Sequence, residues 1–214
     1  NEKKTMNTHL HILEAYTNLY KVWKDQGLKF QLKNMIEIFL DKIVNSRTFH
    51  LDLFFDEDWM CKSDITSYGH DIEASWLLEE AAVALGEKEL LGRVREISKK
   101  IADAATEGLQ EDGSMINERN NQTGEENHNR DWWPQAETVV GYMNAYQLTN
   151  DEKYLDRSLH CWNFIKKNLV DNMAGEWFWG ISEKGIINRR DDKAGFWKCP
   201  YHNGRMCLEI FDRC

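Results

Sequence analysis

Three segments of this chain enter a helix in the same way and recur at a regular interval. Met6-Asn7-Thr8-His9-Leu10-His11-Ile12-Leu13-Glu14, Tyr68-Gly69-His70-Asp71-Ile72-Glu73-Ala74-Ser75-Trp76 and Trp132-Trp133-Pro134-Gln135-Ala136-Glu137 lie about 60 residues apart, a spacing suited to a repeated pair of helices. Their sequels rhyme as well: Ala84-Leu85-Gly86-Glu87-Lys88-Glu89-Leu90 and Gln147-Leu148-Thr149-Asn150-Asp151-Glu152-Lys153-Tyr154-Leu155 each place a short polar turn between two amphipathic runs. A unit of this kind cannot bury its apolar face alone, so the pattern predicts an array of helical hairpins, all-α or nearly so.

The repeated starts also carry chemistry. Positions three apart share a helix face, so Glu73 is expected beside His70, orienting its ring, with Trp76 deeper on the same face. His11 and Glu14 repeat the spacing. Imidazole titrates near neutrality, which makes these pairs candidate proton-transfer groups; the plainer alternative is that the histidine and acid only cap the first helical turn. His9 and His11 form an H-x-H pair, but on a helix the two rings point about 200° apart, which argues against a shared metal.

Along the chain, helices are expected near Thr5–Trp23, Leu28–Val44, Ile72–Leu85, Lys88–Glu107, Gln135–Leu148 and Asp151–Leu169, with a terminal helix from Asn203. In the first, His11, Ala15, Leu19 and Val22 form one inward stripe. Phe49–Phe55 reads as a short strand or extended loop, Gly108–Asp131 as a long excursion, and Gly175–Gly180 as half of a small hairpin. Several of the nine tryptophans, Trp132, Trp133 and Trp197 among them, fall beside polar residues in expected loops, where flat faces can stack on sugar rings. Histidine, aromatic and carboxylate thus gather at one end of the array, the expected site.

Charge narrows the partners. A net charge of -9 and a pI near 5.3, with no basic stripe, disfavour nucleic acid. No run approaches the roughly 20 apolar residues of a membrane span. Five cysteines without a C-x-x-C pair suggest neither a disulfide frame nor a thiolate zinc site, and fit a reducing, cytoplasmic compartment. The chain opens without methionine and enters a core-patterned helix within a few residues, as a portion of a larger protein would.

The segments MNTHLHILEAY, YGHDIEASWLL, WWPQAETVVGYMNAYQLT, GEWFWG and WKCPYHNGRMCLEI, in this order, resemble the carboxyl-terminal half of cellobiose 2-epimerases, members of the N-acylglucosamine 2-epimerase superfamily. The resemblance covers residues 1–214 and implies about half of a single (α/α)6-barrel catalytic domain, with short strands in the loops at the site end. It implies interconversion of the reducing-end glucose of cellobiose or lactose with its mannose epimer, needing no cofactor or metal. By the same resemblance, His70 and His202 are the acid/base pair at C2, Glu73 supports His70, and His11 serves ring opening or holds the C1 oxygen, with Asn7 close by. Trp76, Trp133, Glu137 and Trp197 correspond to positions that shape the pocket and bind sugar. Pro134 departs from the family pattern after the Trp pair. An arginine and a tyrosine of the amino-terminal half have no counterpart here, so the missing half-barrel is itself an expected partner.

Three other readings remain open. A monosaccharide 2-epimerase or isomerase of the same superfamily would share these motifs. A glycoside hydrolase needs two carboxylates flanking the scissile bond, whereas the acids here sit behind histidines. A catalytically inactive carbohydrate-binding fragment is the non-enzymatic alternative. The sequence leaves the oligomeric state open.

Overall fold

A short strand leads into each of the three repeated helix starts. The computed structural model describes Lys3 to Cys214, and its strands form three small antiparallel sheets. β1 (Lys4–Thr5) pairs with β2 (Phe54–Phe55), β3 (Ile65–Ser67) with β4 (Glu118–Asn120) and through it β5 (Glu126–Asn127), and β6 (Arg130–Asp131) with β7 (Gly180–Ile181). β1, β3 and β6 run directly into α1 (Met6–Val22), α3 (Tyr68–Leu85) and α5 (Trp132–Thr149). The outer partners are α2 (Gln26–Ile38), continued by a π turn over Phe39–Ile43, then α4 (Lys88–Ala104), ending in a 3-10 turn over Ala105–Gly108, and α6 (Glu152–Asn168). α7 (Tyr201–Arg213) closes the series.

The rhyming turns have a common geometry. Gly86 and Asn150 end α3 and α5 in the left-handed region, φ 79° and 54°, a conformation that glycine and asparagine tolerate best. The next residue caps the following helix: Asp151 accepts from the Lys153 N–H, while Glu87 takes the corresponding position before α4. Thr5 and Asp25 cap α1 and α2 by accepting from the N–H groups of Thr8 and Leu28.

Packing separates inner from outer helices. α3 packs against α1 and α5, and α5 against α7, while α2, α4 and α6 lie behind as the second members of the hairpins. α3 and α5 are therefore buried on nearly all sides, and α4 and α6 on one stripe. Among the described residues, no helix is long and apolar enough to cross a membrane. The approach of α3 to α5 depends on Gly141, where a Cβ would come 2.5 Å from Ile72 Cγ1 and 2.7 Å from its carbonyl oxygen. The equivalent contact at Gly69 lets the Trp133 ring lie against the first turn of α3, 2.7 Å from where a Cβ would stand.

Several expectations need correction. Helices α3, α5 and α7 start earlier than expected, so His70, Trp132 and Trp133 lie in first helical turns and not in loops. Strand pairing and interhelix packing hold Tyr68, Gly69 and the Trp pair in place where composition alone suggests a loop. The Gly108–Asp131 excursion is largely a meander, with β4 and β5 alongside β3. The inward face of α1 is Leu10, Leu13, Thr17 and Tyr20; Ala15, Leu19 and Val22 are exposed, because α1 packs chiefly against α2 and α3.

Candidate active site

The inner helices deliver their first two turns to one end of the bundle, and a charge cluster forms there. Glu73 on α3 and Glu137 on α5, each 1 % exposed, direct their carboxylates towards α7. His202 Nδ1 lies 2.7 Å from Glu137 Oε1 and 3.9 Å from Glu73 Oε1. Between the acids stands Arg205, one helical turn beyond His202, donating one Nη2 to Glu73 at 2.6 Å and to Glu137 at 2.7 Å. Its Nη1 donates to Glu14 Oε1 at 2.5 Å and to the Tyr201 hydroxyl at 2.6 Å, and Tyr201 in turn donates to the other oxygen of Glu14. Arg205 also lies over the faces of Trp76 and Tyr201, 4.9 and 4.5 Å from their centroids.

Three histidines border this cluster. His70 packs on the Trp133 ring at 4.7 Å between centroids, and His202 approaches the same indole at 5.5 Å. The two imidazoles predicted as the acid/base pair therefore share one aromatic neighbour. His11 sits 3.6 Å from Glu14 and edge-on to Tyr201. His9 points elsewhere, to the Thr5 carbonyl and Trp59, as the helical spacing requires.

The protonation states diverge for physical reasons. Burial holds His70 down at about 4, and charges on His11 and His202 push the same way. His11 is raised, chiefly by its pairing with the Glu14 carboxylate 3.6 Å away and against the opposing effect of burial. Burial works against ionisation of Glu14, yet His11, Arg205 and Tyr201 together hold it at about 2. The two buried acids separate: burial and then the charge of Glu137 raise Glu73, whereas Arg205 and His202 overcome burial and lower Glu137. Glu73, Glu137 and His202 have the spacing of a cation site, and the positive charge between the carboxylates is the Arg205 guanidinium.

Not every candidate has the expected neighbour. Glu73 bonds Arg205, while Ser67 Oγ takes His70 Nδ1 at 2.8 Å, so the ring of His70 is oriented by the last strand residue and not by the acid one turn on. The buried carboxylate turns towards the stronger guanidinium partner. Trp76 is 1 % exposed and its indole N–H donates to Glu137 Oε2 at 3.0 Å. Glu137 is thus engaged by the Trp76 indole, His202 and Arg205 together. Trp133 is half-buried, and Asn7 is exposed one turn before His11. Trp197 is 79 % exposed, edge-on to Phe196 and outside the histidine cluster. Arg205 and Tyr201 are not among the expected site residues, and Glu14 is expected only as the partner of His11; Arg205 stands three residues after His202, the same spacing that singles out Glu73.

The segment before α7 is tied to it by a second polar knot. Lys198, with no exposed side-chain surface, donates to Glu176 at 2.9 Å and lies over the Trp132 face, and Asn203 donates to the same carboxylate oxygen at 2.8 Å. These contacts fix where α7 begins, and hence where His202 stands.

Helical hairpins whose inner helices bring histidines and buried acids to one end are the architecture of an (α/α)6-barrel, of which this chain supplies about half. The profile of the N-acylglucosamine 2-epimerase family matches residues 1–204, and the chain belongs to that family. It is 58 % identical over 210 residues to the cellobiose 2-epimerase of Bacteroides fragilis, covering 98 % of this chain and 54 % of that protein. The cellobiose 2-epimerase of Dictyoglomus turgidum is 46 % identical over 212 residues, 99 % of this chain and 54 % of its own length. The solved cellobiose 2-epimerase of Bacillus thermoamylovorans superposes with a TM-score of 0.93 at 40 % identity, over 100 % of this chain and 54 % of that one. The chain thus spans about half the length of these relatives.

Proposed function

We propose that the full-length protein carrying this chain epimerises the reducing-end glucose of cellobiose or lactose at C2. The observation that carries the reading is the pair His70 and His202 on one indole, Trp133, in a chain 58 % identical to a cellobiose 2-epimerase. Inverting C2 requires one base to remove its proton from the opened sugar and an acid to return a proton on the opposite face of the planar enediolate. Burial keeps His70 neutral at physiological pH, ready to accept a proton. Glu137 binds Nδ1 of His202, which leaves Nε2 for the reacting carbon. The raised His11 suits the opposite task, donating a proton during ring opening. Trp133 and the exposed Trp197 offer stacking faces, and Asn7 a hydrogen-bonding group near His11. Five unpaired cysteines fit a reducing, cytoplasmic setting.

The test is incubation of the full-length protein with cellobiose in deuterium oxide, followed by NMR of the sugar. Deuterium at C2 together with the mannose epimer is the expected outcome; glucose release or an unchanged sugar would exclude epimerisation. The 214-residue chain alone is expected to give no product and to self-associate. Leu208 and Phe211 on α7, and Val22 and Trp23 at the end of α1, leave apolar side chains in water. Size-exclusion chromatography checks the second expectation, and a monomeric, active chain would overturn both.

A further inference from the structure

The guanidinium at the centre of the cluster has no role among the groups proposed to move protons, yet every one of their acidic partners touches it. Arg205 is 12 % exposed and reaches Glu14 on α1, Glu73 on α3 and Glu137 on α5, besides Tyr201 on its own helix. Two of these acids orient histidines. Glu14 is paired with His11 and Glu137 with His202, while His70 stands on the other side of Trp133. We propose that Arg205 is the positioning residue of this site: one guanidinium fixes Glu14 and Glu137 together, and so aims His11 and His202 as a unit. The inference rests on the epimerase reading for its catalytic consequence but not for its electrostatic one.

The physical argument is a charge count. Glu14, Glu73 and Glu137 bring up to three negative charges into a largely buried volume, and His11, His70, His202 and Arg205 are the basic groups facing them. Arg205 stays cationic at every working pH, since its neighbours raise its already high value further against the pull of burial. Without it, two buried carboxylates whose oxygens both lie within 3.9 Å of His202 Nδ1 repel, and one of them takes a proton. A protonated Glu137 no longer demands a donor from Nδ1, and the ring loses its fixed tautomer. Lysine cannot substitute, because a single ammonium does not span acids on three helices.

The experiment compares wild type, Arg205→Lys, Arg205→Met and Arg205→Met/Glu73→Gln in the full-length protein. Infrared difference spectra follow the carbonyl stretch of a protonated carboxylic acid as pH is lowered, without substrate. In Arg205→Met this band is expected to appear at least one pH unit higher than in wild type, and in the double variant to move back, because one of the repelling acids is gone. Turnover of cellobiose by Arg205→Lys is expected to fall about 30-fold with KM changed less than threefold, and to fall about tenfold further at pH 6 than at pH 8, the loss that a one-unit shift of a titrating group produces. Unshifted carboxylic-acid bands in Arg205→Met, or equal activity losses at both pH values with only a lower Tm, would assign Arg205 to packing and overturn the proposal. Absence of C2 exchange in wild type, with the bands shifting as expected, would remove the epimerase reading and leave the positioning role. Should Arg205→Met fail to fold, the Arg205→Lys profile and the charge-balanced double variant still decide.

Discussion

Two buried histidine–carboxylate pairs in this molecule have the same length and different surroundings. His202 and Glu137 meet at 2.7 Å, and so do His50 and Asp71. Both carboxylates are 1 % exposed. The second oxygen of Asp71, however, accepts the backbone N–H of Leu51 at 2.8 Å, and His50 Nε2 points to Glu107 at 3.6 Å. That pair pins the loop before β2 onto the first turn of α3. Glu137 makes its bonds to side chains only, those of His202, Arg205 and Trp76, which come from α7 and α3. A His–carboxylate contact is therefore not by itself a site; what the remaining polar atoms are bound to decides whether the ring is a fastener or a tool.

The comparison predicts opposite consequences for equivalent substitutions. His202→Asn in the full-length protein should lower C2 exchange by about 10³-fold while Tm moves little, and His50→Asn should do the reverse. Equal loss of exchange from both would erase the distinction. Next in size, Asp71→Asn should cost about 3 kcal/mol in urea unfolding, since it leaves His50 and the Leu51 amide with a poorer buried partner. A cost below 1 kcal/mol would show that the loop is held by its apolar residues.

The pair also has a pH signature. Asp71 raises His50 above its ordinary value against the effect of burial, and burial raises Asp71. A histidine raised on folding stabilises fully below its unfolded value of about 6.5 and loses that contribution as pH rises through the folded value. The Tm gap between wild type and His50→Gln should thus be widest near pH 6 and narrow towards pH 9. His70 has the opposite sign: its value, depressed to about 4, gives a contribution present above about 6.5 and lost as pH falls through 4. His70→Gln should flatten that acid limb in a thermal melt series, and an unchanged limb would mean that the ring is not enclosed in solution.

The same contrast explains what could be read from the chain. Hairpin repeats were legible because their turns and helix starts are local, as Gly86 and Asn150 show. His70 and His202 are marked by their place at helix starts, and His11 by the glutamate three residues on. The His50–Asp71 pair has no local signature although Asp71 lies inside the YGHDIE segment, because its partner sits 21 residues away on an irregular loop. Arg205 is less legible still: its acids lie on three helices, and nothing local marks their convergence. The wrong stripe on α1 has a related cause, since the helix offers two apolar faces and only its neighbours decide which is covered.

The ion pair between Arg205 and Glu14 joins residues 191 positions apart in sequence. During synthesis the amino-terminal side emerges first, so Glu14, Glu73 and Glu137 all exist before their counterion is made. Until α7 docks, Glu14 has His11 as its partner, while Glu73 and Glu137 lack theirs and are accommodated by taking up a proton or by keeping water between the inner helices. Completion of the charge cluster and tightening of the inner helices are then one late event, and the site cannot be assembled ahead of the fold that carries it.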